Sequence, residues 1–432
     1  MLKREIWKKA LVGSVAAVAL GGFVSSALAK DKSFAPFERV ATLDVVYNDD
    51  GTINDWASYV KGQEVGVAIT NFIANTNEAT ELGYPTDWIV AGDAMLDIPS
   101  MQKVVKPDGT KIAKKVQVIE ICNKAYAQKA LGVTEIIPGV KLPNGYIHAP
   151  ALPCEISVHY DGDKIHVNML NAQAIFTLFF TDVVTSELML DPAFAEQMEN
   201  LTVAVKSEMR GMILAGLAGY DDTVVTADMA GPIYKTVGDA VSAVAHTLNQ
   251  SPYVHYTYAK ADGTALTGSE LGAIVTAVTN TMTINGTDTA GDHDDELDAL
   301  LSAGSLWRAA RALPLGLPDG SKVVEPCSPT YAKMAISTDR LDHAPALPCE
   351  IAFRVQDGQL MVSYLDPNFM FDIMFGDMSD EEKVALGDLP GTVLNDLQTI
   401  VDYTIENKLG GLVLNGAERV YYDMLLEACD VE

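Results

Sequence analysis

The sequence predicts an α+β protein made of two similar domains, and three observations carry that prediction. The nine residues HAPALPCEI occur twice, at 148–156 and at 343–351. Each copy continues into two short runs that alternate apolar and polar residues, which is the pattern of a β-hairpin. Longer runs with helical spacing follow. Strands and helices that occupy separate blocks of a chain are typical of α+β folds.

The similarity extends well beyond those nine residues. Residues 148–183 align with residues 343–378 without a gap, and 14 of the 36 positions are identical. Upstream, EICNKAYAQKAL (120–131) matches EPCSPTYAKMAI (325–336). These two segments lie ten residues further apart than the downstream segments do, so the first copy carries a ten-residue insertion between its two matching segments. Each copy is roughly 180 residues long and is therefore a domain, because solenoid repeats run to about 50 residues.

The domain organisation follows from the repeat and from local composition. We expect a first repeat domain at 36–220 and a second at 251–432. The joint between them, 221–250, has helical spacing and is predicted to be a helical joint.

Residues 1–29 have the pattern of a secretory signal peptide. They combine four basic residues, an apolar run and the small-residue ending Ala27-Leu28-Ala29. We therefore expect cleavage near Ala29 and a periplasmic or secreted protein. No later run reaches 18 apolar residues, so no membrane span is expected in the mature protein.

The net charge of the chain limits the kinds of binding partner. The chain of 432 residues carries a formal charge of −28 at pH 7. Phosphate recognition depends on Lys and Arg, so nucleic acid is not expected as a partner, and anionic membrane surfaces are disfavoured for the same reason. We therefore expect a small molecule or another periplasmic protein as the partner, and the charge does not exclude a homo-oligomer.

The elements of each copy can be predicted in order. CEISVHY (154–160) and CEIAFRV (349–355) predict a strand with its Cys and Ile on the core face and its Glu on the other face. KIHVNML and QLMVSYL complete the hairpin. AQAIFTLFF and PNFMFDIMF predict a helix with an i, i+4 pair of Phe on its buried face. Long helical patterns at 192–220 and 391–414 close the two copies.

Four of the five cysteines form two equivalent pairs. Cys122 and Cys327 come directly before Asn123 and Ser328, which are predicted helix N-caps. Because disulfides persist outside the cytoplasm, we predict the bonds Cys122–Cys154 and Cys327–Cys349, with Cys429 left over. Buried free thiols, or redox-active thiols at a helix start, remain the alternatives.

The repeat also contains residue types that bind metals. His148 and His343 stand six residues before a cysteine, and Glu155 and Glu350 follow that cysteine directly. With the cysteines they satisfy the preferences of zinc or copper, so a site for copper, zinc or haem is an alternative to the absence of a cofactor. No C-x-x-C, C-x-x-C-H or H-E-x-x-H motif occurs. A turn held by hydrogen bonds is the simpler interpretation of the histidines.

The sequence offers little for catalysis. It has no G-x-S-x-G and no glycine-rich phosphate loop. The two copies share prolines, aromatic residues and cysteines rather than an acid, a base and a nucleophile. An enzyme is therefore not favoured, and no catalytic residue is assigned.

Taken together, these motifs resemble a known family. The order E-x-C-[NS]-x-x-x-A, then A-L-P-C-x-I, then a hairpin ending V-S-Y-L-D-P (362–367) resembles domain of unknown function 302. The resemblance covers 116–183 and 323–378, as a tandem duplication; Asn171-Ala172 departs from the pattern in the first copy.

The resemblance implies TATA-binding-protein-like α+β domains that often dimerise, with no established reaction and no catalytic residues to carry over. Two copies in one chain would then form a pseudo-dimer. We therefore expect an exported tandem-repeat binding or interaction protein of unknown ligand. The alternative is a thiol-disulfide redox, metal-binding or haem-binding protein.

Overall fold

The computed structural model describes residues 35–420, with gaps at 76–79, 82, 84–87, 98–102, 143–144, 153, 221–226, 230–246, 248–249, 286–293, 303–304, 310–319, 337, 348 and 377. The predicted signal peptide and Cys429 lie outside these residues. Within them, no helix is both long enough and apolar enough to cross a membrane.

The fold is mixed α+β with antiparallel sheets. The strands of the first half are β1 (Phe37–Asp44), β2 (Trp88–Asp97), β3 (Lys103–Val105), β4 (Lys111–Ala113), β5 (Lys115–Asn123), β6 (Cys154–Tyr160), β7 (Lys164–Leu170) and β8 (Ala227–Met229). Its helices are α1 (Asp55–Ala74), α2 (Lys124–Ala130), α3 (Ala172–Phe179), α4 (Thr181–Val184) and α5 (Pro192–Gly216), with 3₁₀ turns at Gly145–Ala151 and Glu187–Leu190.

The second half uses similar elements. Its strands are β9 (Tyr253–Lys260), β10 (Arg308–Ala309), β11 (Lys322–Val324), β12 (Pro326–Cys327), β13 (Ile351–Gln356), β14 (Gln359–Leu365) and β15 (Leu412–Val420). Its helices are α6 (Gly268–Asn285), α7 (Asp295–Leu300), α8 (Pro329–Ala335), α9 (Pro367–Met374), α10 (Asp380–Leu386) and α11 (Leu389–Tyr403), with 3₁₀ turns at Thr338–Ala346 and a π turn at Thr404–Leu409.

Corresponding strands have the same order in the two sheets. The first sheet runs β2-β5-β6-β7-β1-β8 and the second runs β11-β13-β14-β9-β15, with β12 pairing to β10 beside it. The registers agree as well, because Phe37 pairs with Leu170 in the first half and Tyr253 pairs with Leu365 in the second. The predicted hairpins are confirmed as β6–β7 and β13–β14.

Each sheet has one apolar face that is covered by its own helices. In the first half, Ile119 and Ile156 pack with Ile69 of α1 and Met212 of α5. In the second half, α6 and α11 cover β13 and β14 in the same manner. The core face predicted from the alternation of CEISVHY is therefore confirmed.

The opposite faces of the two sheets meet across the centre of the molecule. The 3₁₀ turns of each half contact the sheet of the other half. Asp342 crosses this interface: its carboxylate accepts hydrogen bonds from Arg39 at 2.5 Å and from Asn168 at 2.9 Å, and lies 3.5 Å from His159 Nε2. In the repeat alignment, Asp342 corresponds to Ile147.

Two predictions about secondary structure need correction. The helical pattern at 391–414 ends earlier than predicted, because Gly410 and Gly411 adopt positive φ angles of 64° and 75° and the chain then forms β15. In the joint predicted to be helical, Ala227–Met229 form a strand that pairs with β1. Most other residues of the joint lie outside the described residues.

Candidate functional site

The starts of α2 and α8 set the geometry of one site in each half. The Asn123 side chain accepts a hydrogen bond from the backbone N–H of Tyr126, and the Ser328 hydroxyl accepts one from that of Tyr331. Both residues are therefore N-caps, as predicted. The caps fix the first turn of each helix, which carries a tyrosine and then an alanine toward the same kind of cavity.

Each half contains one largely apolar pocket. The pocket of the first half encloses about 640 Å³ and that of the second about 580 Å³, each including its open mouth. Corresponding residues form the walls: Trp88 and Trp307, Tyr126 and Tyr331, Ala127 and Ala332, Leu152 and Leu347, Cys154 and Cys349, Phe176 and Phe371. The two halves therefore have cavities with equivalent walls at equivalent positions.

A carboxylate holds the aromatic wall of each pocket. In the first half, Glu208 accepts hydrogen bonds from the Trp88 indole at 2.7 Å and from the Tyr126 hydroxyl. In the second, Asp396 accepts them from the Trp307 indole at 3.4 Å and from the Tyr331 hydroxyl at 2.5 Å. The polar atoms of these rings are therefore already bonded, and their apolar surfaces face the pocket.

The predicted disulfides are absent, which corrects the sequence analysis. Cys122, Cys154, Cys327 and Cys349 are all free thiols. In the first half, Cys122 and Cys154 line the same pocket, but the strand register pairs Cys154 with Ile121 rather than with Cys122, and both thiols are free. In the second half, the Cys349 N–H donates to the carbonyl of Pro326 rather than that of Cys327.

The four thiols are expected to be unreactive in the folded protein. Burial raises the pKa of Cys154 to about 12 and raises the pKa values of Cys122, Cys327 and Cys349 as well. For Cys154 the thiolate fraction should fall about a thousandfold, since the thiolate is the nucleophile. In a Cys429→Ser background, iodoacetamide should label all four within minutes in concentrated guanidinium chloride but only slowly in buffer.

Intact mass provides the control for this experiment. Reduction before analysis should leave the mass unchanged. A gain of two hydrogens for each bond on reduction, or rapid labelling of the folded protein, would contradict free buried thiols.

The two repeated histidines lie at the interface between the halves. The His148 ring packs edge-on against Phe180 and stacks on Tyr253, with centroids 4.2 Å and 5.6 Å away. His343 stacks on Phe375 and contacts Phe37, the counterpart of Tyr253. Each histidine thus lies between an aromatic ring of its own half and one of the other half.

His148 also faces a carboxyl group. Its Nε2 lies 3.1 Å from Asp182 Oδ2, and both side chains are buried. Burial lowers the pKa of His148 to about 3 and raises that of Asp182 to about 7. Asp182 contacts this ring from the first turn of α4.

The repeated glutamates meet in two pairs at the same interface. Glu120 pairs with Glu155 on neighbouring strands, so both point toward the second half. Across the interface, the carboxyl of Glu120 hydrogen-bonds that of its counterpart Glu325, and the carboxyl of Glu155 hydrogen-bonds that of its counterpart Glu350. A carboxyl pair can form such a bond only when one member is protonated.

Burial strongly favours the protonated forms of these four groups. Their residues are between 1% and 5% exposed. Burial raises the pKa of Glu120 to about 7 and that of Glu350 to about 8, and neighbouring carboxyls add to burial in raising the pKa values of Glu155 and Glu325 well above their usual range.

A third cavity lies between the two pockets. It encloses about 300 Å³ and is lined by Pro150, Glu155 and Leu170 and by their counterparts Pro345, Glu350 and Leu365. We call it the axial cavity. Leu170 also lines the first pocket, and Leu365 the second, so a single layer of side chains separates the axial cavity from each pocket.

The structure separates the residues that the sequence grouped as a candidate ligand site. The histidines contact aromatic rings, the glutamates contact each other, and the Cys154 and Cys349 thiols line the pockets. Among the residues described, no group of three or more His, Cys, Asp and Glu side chains has an arrangement that could hold a metal ion.

Sequence reasoning missed the two carboxylates that hydrogen-bond the aromatic walls of the pockets. Tyr126 and Tyr331, with the alanines that follow them, were visible as identical positions of the repeat. Trp88 with Trp307, and Glu208 with Asp396, lie where the two copies have diverged too far to align, so nothing in the sequence marked them.

Comparison with known proteins gives one match. The model of a family described as domain of unknown function DUF302 matches residues 309–401, so a DUF302 domain is present there. The match lies in the second half and overlaps one of the two stretches in which the sequence resembles this family. No curated protein matches the chain, and no solved structure does.

Proposed function

We propose that this chain, which carries a DUF302 domain at residues 309–401, is an exported binding protein whose two halves are copies of that domain. Each copy would hold one small apolar molecule. The observation that carries this proposal is the pair of pockets, because corresponding residues line a cavity at the corresponding place in each half.

The interface supports a pseudo-dimer of TATA-binding-protein-like domains, with the two copies related by an approximate twofold axis. In a twofold arrangement, two copies of one residue contact each other only near the axis. Glu120 contacts Glu325, and Glu155 contacts Glu350, and each pair consists of counterparts. The common strand order of the two sheets supports the same arrangement.

The chemistry of the pockets favours binding over catalysis. Their tyrosine hydroxyls and indole N–H groups already have acceptors, and burial raises the pKa values of the Cys154 and Cys349 thiols. Aromatic and aliphatic walls with few available polar groups fit a ligand of about one ring or a short alkyl chain.

The redox and metal-binding alternative has less support. Cys122 and Cys154 are free thiols whose pKa values are raised by burial, and the histidines pack against aromatic rings. Export remains part of the proposal on the pattern of residues 1–29 alone.

Titration with ethylbenzene tests the function. We expect two sites in the mature protein, detected by ligand-observed NMR and calorimetry. Ala127→Leu fills the first pocket and Ala332→Leu fills the second, so each variant should lose one site and the double variant both.

Ala193→Leu is the matched control, because Ala193 is exposed on α5 and the substitution is the same. Thermal unfolding establishes that every variant folds. Absence of binding by folded wild-type protein, or two sites surviving in the double variant, would contradict the proposed function.

A further inference from the structure

Four of the described residues that line the first pocket are aromatic. The rings of Trp88 and Tyr126 meet edge to face, with an interplanar angle of 76° and centroids 6.3 Å apart. The rings of Phe176 and Phe180 stack, with an interplanar angle of 18° and centroids 4.4 Å apart. One edge-to-face pair and one stacked pair therefore border a single cavity.

The second pocket has the same two pairs at corresponding positions. Trp307 and Tyr331 meet at 64° with centroids 5.8 Å apart, and Phe371 and Phe375 stack at 23° with centroids 4.9 Å apart. The tryptophans belong to parts of the two copies that no longer align in sequence, yet each pocket has one beside its tyrosine. The four aromatic rings are therefore a shared property of the two pockets.

The electrostatics of these walls favour a positive ligand. The face of an aromatic ring carries partial negative charge and attracts cations. In each half a carboxylate accepts hydrogen bonds from both rings of the edge-to-face pair, Glu208 in the first and Asp396 in the second. Among the described residues that line either pocket, none is Lys, Arg or His, so no positive side chain competes for the rings.

The scarcity of hydrogen-bond acceptors decides which kind of cation fits. The indole and hydroxyl groups of the walls already have partners. A primary ammonium group brings three N–H donors, which lose water on entry and are costly when they stay unpaired. A quaternary ammonium group has no N–H to satisfy, and its methyl groups can pack against the rings.

We propose that both pockets select small quaternary ammonium compounds, of about the size of choline, over neutral molecules of the same shape. This inference rests on the proposed function and specifies the ligand class of the same two sites. The positive charge lies against the aromatic rings, and the methyl groups fill the apolar space. The formal charge of −28 on the chain attracts such cations and raises their rate of association.

Choline and 3,3-dimethylbutanol test the selectivity, because they have the same shape and differ in a charged nitrogen that is replaced by carbon. In calorimetric titrations of the mature protein, choline should bind at two sites, about fivefold to thirtyfold more tightly than the neutral alcohol. Ethanolamine has an ammonium group without methyl groups and should bind more weakly than choline. Ala127→Leu and Ala332→Leu should each remove one choline site.

Two further variants assign the binding to the pockets. The Ala127→Leu, Ala332→Leu double variant keeps the surface charge of wild type, so it should lose choline binding if choline occupies the pockets and not the acidic surface. Glu208→Gln, in the Ala332→Leu background, keeps the size of the side chain and removes its charge, so the preference for choline over the alcohol should fall. Circular dichroism verifies that each variant folds.

The outcomes separate this inference from the proposed function. Equal affinities of wild type for choline and the alcohol, or choline binding that survives in the double variant, would overturn the selectivity for cations while leaving the pockets as sites for ethylbenzene. If folded wild-type protein bound neither ethylbenzene nor the alcohol nor choline, the proposed function and this inference would both be overturned.

Discussion

Raising the pH from 6.5 to 8 is expected to lower the free energy of unfolding by several kcal/mol, on the order of 1 kcal/mol per pH unit for each buried glutamate that keeps its proton. Glu155 and Glu325 have pKa values well above the usual range in the folded protein, as a result of burial. The folded state then binds more protons than the unfolded state. Their stabilisation is complete below the unfolded pKa and is lost as the pH rises toward the folded one.

The buried histidines act in the opposite direction, and only below about pH 6.5. Burial lowers the pKa values of His148 and His255 to about 3 and that of His159 to about 4. They remain neutral in the folded state, so acid favours unfolding below about pH 6.5. Between about pH 4.5 and 6.5 the histidines and the carboxyls therefore oppose each other, whereas above about pH 6.5 the histidines are neutral in both states and the decline in stability belongs to the carboxyls.

Urea denaturation of wild type and Glu155→Gln across this range measures the effect. The amide does not titrate, so the slope of stability against pH should be smaller in the variant than in wild type by up to about 1.4 kcal/mol per pH unit. Between pH 6 and pH 8 the variant should therefore lose less stability than wild type does. Glu196→Gln, on an exposed position of α5, should keep the wild-type slope. An unchanged slope in Glu155→Gln would contradict a protonated interface.

Asp396→Ala should be among the most destabilising single substitutions. The Asp396 side chain is fully buried and accepts hydrogen bonds from the Ser302 backbone and hydroxyl, the Trp307 indole and the Tyr331 hydroxyl. Alanine leaves these donors unpaired and creates a cavity beneath the second pocket. We expect a loss of about 3–5 kcal/mol in the free energy of unfolding, measured by urea denaturation.

Two comparisons make this prediction sharp. Asn395→Ala changes an exposed neighbour on α11 and should cost less than about 0.5 kcal/mol. Glu208→Ala removes the corresponding acid of the first half, which is only half-buried, so its cost should be smaller than that of Asp396→Ala. If Asp396→Ala lowered the free energy of unfolding less than Glu208→Ala does, the Asp396 network would not stabilise the second half.

Sequence reasoning was most reliable for features with local causes. The alternation of CEISVHY placed Ile156 on the core face and Glu155 on the other, and the caps Asn123 and Ser328 followed from side chains that bond the nearby backbone. What covers the second face of a sheet is not a local property. The burial of Glu155 against Glu350 therefore could not be read from the alternation.

Register is the other property that the sequence did not reveal. Cys122 and Cys154 were predicted to be bonded, yet the register of their strands pairs Cys154 with Ile121, and both thiols are free. The prediction that the last helix continues to residue 414 was wrong for a related reason. The apolar residues of β15 also fit a helical period, and only the conformation of two glycines decides between the alternatives.

The Asp342 contact explains how two diverged halves would find the right partner. Asp342 binds Arg39 and Asn168 of the first half, whereas the corresponding position, Ile147, can accept no hydrogen bond from a side chain. If the first halves of two chains were to pair with each other, Arg39 and His159 would face isoleucine and lose their acceptor. The contact therefore favours the pairing of a first half with a second half over the pairing of two like halves.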